Sequence, residues 1–340
     1  MLVKEFNYEL PRALIAQEPL PRRDQSRLLV LARKGGPLEH RCFRDLGAYL
    51  RPGDVMILND SRVLPARIFA RRAKTGGKGE ALLLKPLGRD RWEALVRPGR
   101  RVPVGEELIY GKGELRGRVI GKTEFGGRII EFNYSGSFRE HLKGLGQMPL
   151  PPYIHRELAD PERYQTVYSR WEGSAAAPTA GLHFTREFLQ EIKTRGIGVH
   201  YLTLHVGLDT FRPLEVEKVE DHKMHTEYYE IPLQTARAVN CTKKEGGRVI
   251  AVGTTVARTL ETAADNGSLS PREGWSDLFI YPGYRFKMVD VLLTNFHLPQ
   301  STLLMLVCAF AGRDKILSAY EEAIKEKYRF FSFGDAMLII

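Results

Sequence analysis

Residues 62–128 hold 17 Lys and Arg against 7 Asp and Glu, a surplus equal to the +10 of the whole 340-residue chain, so the remainder is neutral in sum. The same stretch differs in texture from its surroundings. Residues 81–85, 91–96, 107–110, 115–120 and 128–133 are short apolar or alternating runs broken by Gly, Pro and charged turns, the pattern of short paired strands. This predicts a small all-β unit, a barrel or curled sheet, set into a chain of different character. A polyanion lying along a basic face gains affinity by releasing its counterions, which makes nucleic acid the first partner class to consider. A surplus that serves only solubility is the plain alternative.

Outside that stretch helix and strand patterns mix. Residues 186–195 place Phe188, Leu189 and Ile192 on one helical face, and residues 316–328 repeat the spacing, whereas 54–58, 248–252 and 289–293 read as buried strands. The expected fold is mixed α/β. Residues 1–61 and 151–340 would form a discontinuous main domain, a mixed sheet or barrel with surrounding helices, and residues 62–150 an inserted β-barrel. Pro149, Pro151 and Pro152 mark the return, since three prolines there continue neither a helix nor a central strand. With 43% hydrophobic and 27% charged residues the composition is that of a globular chain. The N-terminal residues lack an apolar signal region, and the longest apolar run, 303–311, is about half a membrane span. Cys42, Cys241 and Cys308 are odd in number and far apart, which excludes a cysteine zinc site and suits a reducing compartment. A cytoplasmic protein without membrane contact is the expectation.

Several motifs fall short. Residues 117–123 resemble a phosphate-cradling loop but are one residue short and precede no helix, so they read as a hairpin turn. No strand is followed by G-x-G-x-x-G, and G-x-S-x-G is missing. Asp221, His222 and His225 bring three metal-ligating groups together but lack a fourth. What remains are polar loops in the second half, each with His, Thr, Asn or Arg beside small residues that let a ligand approach the backbone. Residues 176–185 offer Thr179 and His183 on a wall thinned by Gly and Ala; residues 203–207 carry His205. Residues 253–259 follow a strand, so the N–H groups of a helix start, Thr254, Thr255 and Arg258 could hold an anion. Asn295 and His297 follow the strand at 289–293. Each histidine taken singly could equally be a hydrogen-bonded structural residue. Asp60 reads as a turn cap before the β unit, and Arg62 as a phosphate contact.

These stretches resemble one family. Asp24-Gln-Ser-Arg-Leu-Leu-Val, Pro52-Gly-Asp54, Leu58-Asn-Asp-Ser-Arg-Val-Leu-Pro-Ala-Arg67, Pro149-Leu-Pro-Pro-Tyr-Ile154, Arg163-Tyr-Gln-Thr-Val-Tyr168, Ala177-Pro-Thr-Ala-Gly-Leu-His-Phe-Thr185, Thr203-Leu-His-Val-Gly207, Val252-Gly-Thr-Thr255, Thr294-Asn-Phe-His-Leu-Pro299, Tyr328-Arg-Phe-Phe-Ser332 and Gly334-Asp-Ala-Met337 run nearly end to end. In that order they resemble the S-adenosylmethionine:tRNA ribosyltransferase-isomerases of queuosine biosynthesis. Leu208-Asp209 stands where the family has small residues, and Ser174-Ala175 replaces Ala-Val.

The resemblance implies transfer of the ribosyl part of S-adenosylmethionine to 7-aminomethyl-7-deazaguanine at the tRNA wobble position, giving epoxyqueuosine, adenine and methionine. It implies no metal and no cofactor beyond the consumed donor, and a main α/β domain with an inserted barrel; a monomer is expected, though the sequence does not fix whether the chain works alone. Within that reading His183 and His205 are expected to move protons. Thr254, Thr255 and Arg258 would bind the methionine carboxylate, with Thr179, Asn295 and His297 near the rest of the donor, while Arg62, Arg71, Arg72, Arg100 and Arg101 would contact tRNA. Two other classes are open to composition alone: a non-catalytic RNA-binding module and a small-molecule methyltransferase, the latter disfavoured by the absent glycine motif.

Overall fold

The computed structural model describes the chain except residues 89, 124–125 and 208–213; the Leu208-Asp209 departure therefore lies outside the described residues. Two compact units divide it: Met1–Ser61, Pro151–Trp171 and Ala177–Ile340 form one, Arg62–Leu150 with Glu172–Ala176 the other.

In the larger unit, Val55–Asn59, Val249–Val252 and Val291–Asn295 are buried at every position. Strands apolar on both faces belong in the middle of a sheet covered on both sides, and these three are neighbours at the centre of nine. The order is Arg272–Ser276, Glu227–Ile231, Gly198–Leu204, Val55–Asn59, Val249–Val252, Val291–Asn295, Ala336–Ile339, Arg27–Leu31, Glu39–Cys42. The four strands from Gly198–Leu204 to Val291–Asn295 run parallel. Ala336–Ile339 runs against them and antiparallel pairs close both margins, so the sheet is mixed. Parallelism puts the carboxyl ends of four central strands on one edge.

Helix Arg186–Thr194 starts at Thr185, whose hydroxyl accepts from the Phe188 N–H, and buries Phe188, Leu189 and Ile192 with Leu58, Ile250 and Leu293. Each such side chain contributes roughly 1.5–3 kcal/mol by leaving water. The second periodic stretch is helical over Arg313–Lys325, three residues earlier than its apolar spacing suggests. Gly312 at φ 95° opens it and Lys327 at φ 54° follows its end, so backbone turns set its bounds and the apolar face does not.

In the smaller unit, Arg67–Arg72, Lys78–Pro86, Arg91–Arg97, Arg128–Tyr134, Leu115–Lys122 and Glu107–Tyr110 pair in that order, and the last pairs again with the first, closing a six-stranded barrel. Closure removes the exposed edges. Its interior is Ile68, Ala70, Ala81, Leu83, Ala94, Leu108, Tyr110, Val119, Ile130 and Phe132. Two elements were not legible: strand Arg67–Arg72, where four arginine or exposed positions mask Ile68 and Ala70, and helix Phe138–Leu145. The reading of residues 117–123 as a turn is corrected, because Leu115–Lys122 is strand throughout. A Cβ on Gly117 would sit 2.7 Å from Ile130 Cγ2, so this glycine marks close packing inside the barrel.

Candidate active site

In open parallel sheets ligands bind beyond the carboxyl ends of the strands, where loops diverge. Here that edge carries Asn59-Asp60, Leu204-His205, Val252-Gly253 and Thr294-Asn295. Gly253, at φ 96°, turns strand Val249–Val252 directly into the ten-residue helix Thr254–Ala263. A side chain at this angle would be strained. The turn brings the helix's first N–H groups to a cavity of about 50 Å³ lined by Ala177, Thr179, Thr254, Thr255, Asn295 and His297, among others. Among the described residues its walls carry no ionised side chain: the polar groups are hydroxyls, an amide, neutral imidazole and backbone.

The histidines owe their state to burial. His297 is 8% exposed; its Nε2 lies 2.9 Å from Thr294 Oγ1, its N–H donates to Tyr320 Oη at 3.0 Å, and Tyr8 Oη donates to its carbonyl. Burial pushes its pKa down to about 3, so the ring is neutral at physiological pH. His183, likewise brought to about 3 by burial, does not line the cavity but stands behind Asn295. Asn295 Nδ2 donates to the Phe331 carbonyl at 3.1 Å and lies 3.2 Å from His183 Nε2. The amide nitrogen is fixed by that carbonyl, so Nε2 is the acceptor and Nδ1 donates to Ser26 Oγ at 2.7 Å. Phe43 stacks on the ring at 4.9 Å. Asn295 Oδ1, buried in the cavity wall, has no partner among the described residues, the state of an acceptor awaiting a ligand's donor.

Five of the expected site residues therefore gather: Thr179, Thr254, Thr255, Asn295 and His297. Arg258 does not join them. One turn down the helix it forms a buried ion pair with Glu227, whose other oxygen accepts from the Gly207 N–H at 2.7 Å, so its charge is already matched. Burial lowers the Arg258 pKa to about 10. Of the residues expected to take an anion, Thr254 and Thr255 at the helix start line the cavity and Arg258 does not. His205 also lies off the cavity: its ring stacks on Tyr228 at 5.7 Å, its Nδ1 is buried without a partner among the described residues, and burial lowers its pKa.

Of the barrel arginines, Arg71, Arg100 and Arg101 are exposed and Arg62 is half-buried. Arg72 is ion-paired with the buried Glu106 at 2.8 Å. His222 packs edge-on against Phe279, and among the described residues no three His, Cys, Asp or Glu side chains converge as metal ligands. No described helix is long and apolar enough to cross a membrane.

Asp60 was read only as a cap. Its carboxylate accepts from Thr203 Oγ1 at 2.7 Å on the neighbouring strand, it is 8% exposed, and burial raises its pKa to about 6. Asn59 clamps the same strand ends, donating to the Leu204 carbonyl and accepting from the Leu204 and Ser61 N–H groups. Thr203 and Leu204 lie more than 140 residues away in sequence, which is why local reading missed them.

A family model described as "Queuosine biosynthesis protein" matches residues 3–339. Two relatives named S-adenosylmethionine:tRNA ribosyltransferase-isomerase, from Symbiobacterium thermophilum and Moorella thermoacetica, are each 60% identical, with 100% of both chains covered. A crystal structure of S-adenosylmethionine tRNA ribosyltransferase from Thermotoga maritima is 42% identical, with a TM-score of 0.58, covering 99% of this chain and 100% of its own.

Proposed function

Since the chain belongs to the queuosine biosynthesis protein family, we propose that it transfers and isomerises the ribosyl moiety of S-adenosylmethionine onto 7-aminomethyl-7-deazaguanine at the tRNA wobble position, yielding epoxyqueuosine-tRNA, adenine and methionine. The observation that carries this is the 60% identity over the full length to two proteins so named.

The chemistry makes definite demands on the site. The positive sulfur acidifies the adjacent 5′ hydrogens, so a base can form an ylide there. The aminomethyl group supplies the nucleophile, adenine leaves with a proton from an acid, and the sulfonium carbon–sulfur bond breaks as the epoxide closes, releasing methionine. No covalent enzyme intermediate is needed. A cationic donor is best held where nothing repels it, and the His297 imidazole on the cavity wall is kept neutral by burial. Thr254, Thr255 and the helix start take the donor carboxylate in this reading, and Asn295 Oδ1 accepts from the donor.

His205 is the proton-transfer candidate, neutral and therefore able to accept. His183 takes a positioning role, holding Asn295 through Nε2. The test is single-turnover release of adenine from the donor in the presence of tRNA bearing the modified base. Wild type should release it, and His205→Ala should slow release by about 10²–10⁴-fold. Adenosylhomocysteine in its place would identify a methyltransferase, and no product a binding module. Undiminished release by His205→Ala would remove that residue from proton transfer.

A further inference from the structure

Away from the strand-end cavity, the larger unit carries a second concavity. One cavity of about 630 Å³ is lined by Arg22, Arg23, Arg44, Arg163 and Arg186; another of about 380 Å³ shares Val167 and Arg186 with it and adds Lys193. Six cations thus border one continuous groove; Asp24 and Glu187 line it with them, and Glu191 pairs with Arg44 at 3.7 Å.

The cations divide into two groups. Arg23 donates to the carbonyls of Leu182 and Glu162 at 3.2 and 3.0 Å, and Arg163 to those of Leu20 and Pro21 at 2.6 and 3.2 Å, so these two build the wall. Their crowding is unfavourable: burial and the neighbouring Arg163 both lower the pKa of Arg23. Arg22 and Arg44 keep 60% and 53% of their side chains exposed while sharing one Asp24 oxygen at 3.4 and 3.5 Å. Arg186 is exposed in the first turn of helix Arg186–Thr194, where the helix dipole disfavours a cation. Glu187 in the same turn offsets that cost, and the exposed Arg186 head stands where an anion from outside the chain can reach it. Tyr168 and Tyr201, rings 5.3 Å apart, line the further cavity and bring aromatic surface beside the cations.

We propose that this groove binds the phosphodiester backbone of the substrate tRNA, giving the larger unit its own RNA contact in addition to the arginines of the barrel. A groove made of two joined cavities bordered by six cations suits several consecutive phosphates better than one carboxylate or phosphate. The inference rests on the proposed function for its RNA partner.

The experiment measures tRNA affinity across a salt series, together with adenine release, for wild type and for the triple variant Arg22→Gln, Arg44→Gln, Arg186→Gln. Arg23 and Arg163 are left in place because they hold backbone carbonyls. Each lost phosphate contact lowers the slope of log affinity against log salt by about 0.7–0.9, so the triple variant should lose about 2 from the slope and bind at least tenfold more weakly at moderate salt. Arg186→Gln alone, an exposed change with little bearing on folding, should lose close to one. Unchanged slopes in both variants would overturn the groove, as would a raised half-saturation for the sulfonium donor with tRNA affinity intact. Failure of the wild type to release adenine would instead overturn the proposed function.

Discussion

His183 and His297 are neutral chiefly because burial makes an imidazolium too costly, and at His183 the nearby Arg23 and Arg329 push the same way. The consequence for stability has a definite sign. Each pKa is depressed in the fold, so below about 6.5 the unfolded chain binds a proton the native state refuses, and stability falls as pH drops toward 3. Asp60, raised to about 6 by burial, acts oppositely: its native state holds the proton more tightly, so its cost is present above pH 6 and relieved as pH falls toward 4. The histidine contribution is isolated by comparing His183→Gln with wild type. Over pH 7 to 4.5 the loss of unfolding free energy should be about 2–3 kcal/mol smaller in the variant, one imidazole's share. Urea denaturation at the two pH values measures it, and equal losses would mean that His183 is protonated in the fold.

Helix Thr254–Ala263 is tied at one end by Gly253 and one turn further along by the Arg258–Glu227 pair, which also holds Gly207. Removing one member of a buried pair strands the other, at a cost of about 3–5 kcal/mol. Arg258→Met should therefore destabilise by that amount. Adding Glu227→Gln, which can still accept from Gly207 N–H, should restore most of it; a double variant no more stable than the single would show that the pair is not the helix's anchor. The sequence displayed the strand, the glycine and the helix start, because these are local: apolar run, φ-permissive residue, polar first turn. The partner of Arg258 lies 31 residues away on another strand, so an arginine beside two threonines looked like one more ligand group. The same limit hid Asp60 and Thr203, and Asn295 and His183. Order along the chain revealed which loops gather at one edge, and only tertiary pairing revealed which of their side chains were already spoken for.

Across the whole chain the charge surplus of residues 62–128 is not all available to a partner. Arg67, Arg72 and Arg91 pair with Glu80, Glu106 and Glu131. Arg128, 8% exposed, donates to the carbonyls of Gly99, Val102, Gly126 and Gly127 and so fastens the turn that carries Arg100 and Arg101. A count of basic residues therefore overstates what RNA can use, and the arginines fall into two kinds with different signatures. Exposed ones should act through counterions. Neutralising Arg71, Arg100 and Arg101 together should cut the salt slope of tRNA binding by about 2 to 3 and leave the unfolding transition within about 0.5 kcal/mol of wild type. Arg72→Gln should do the reverse, because it leaves Glu106 buried without its cation: the slope should barely change while stability falls by several kcal/mol. Because each phosphate contact releases its own counterions, losses in slope from the exposed set and from the groove arginines of the larger unit should add. Combining them and finding no more loss than either alone would mean that a single set carries the RNA.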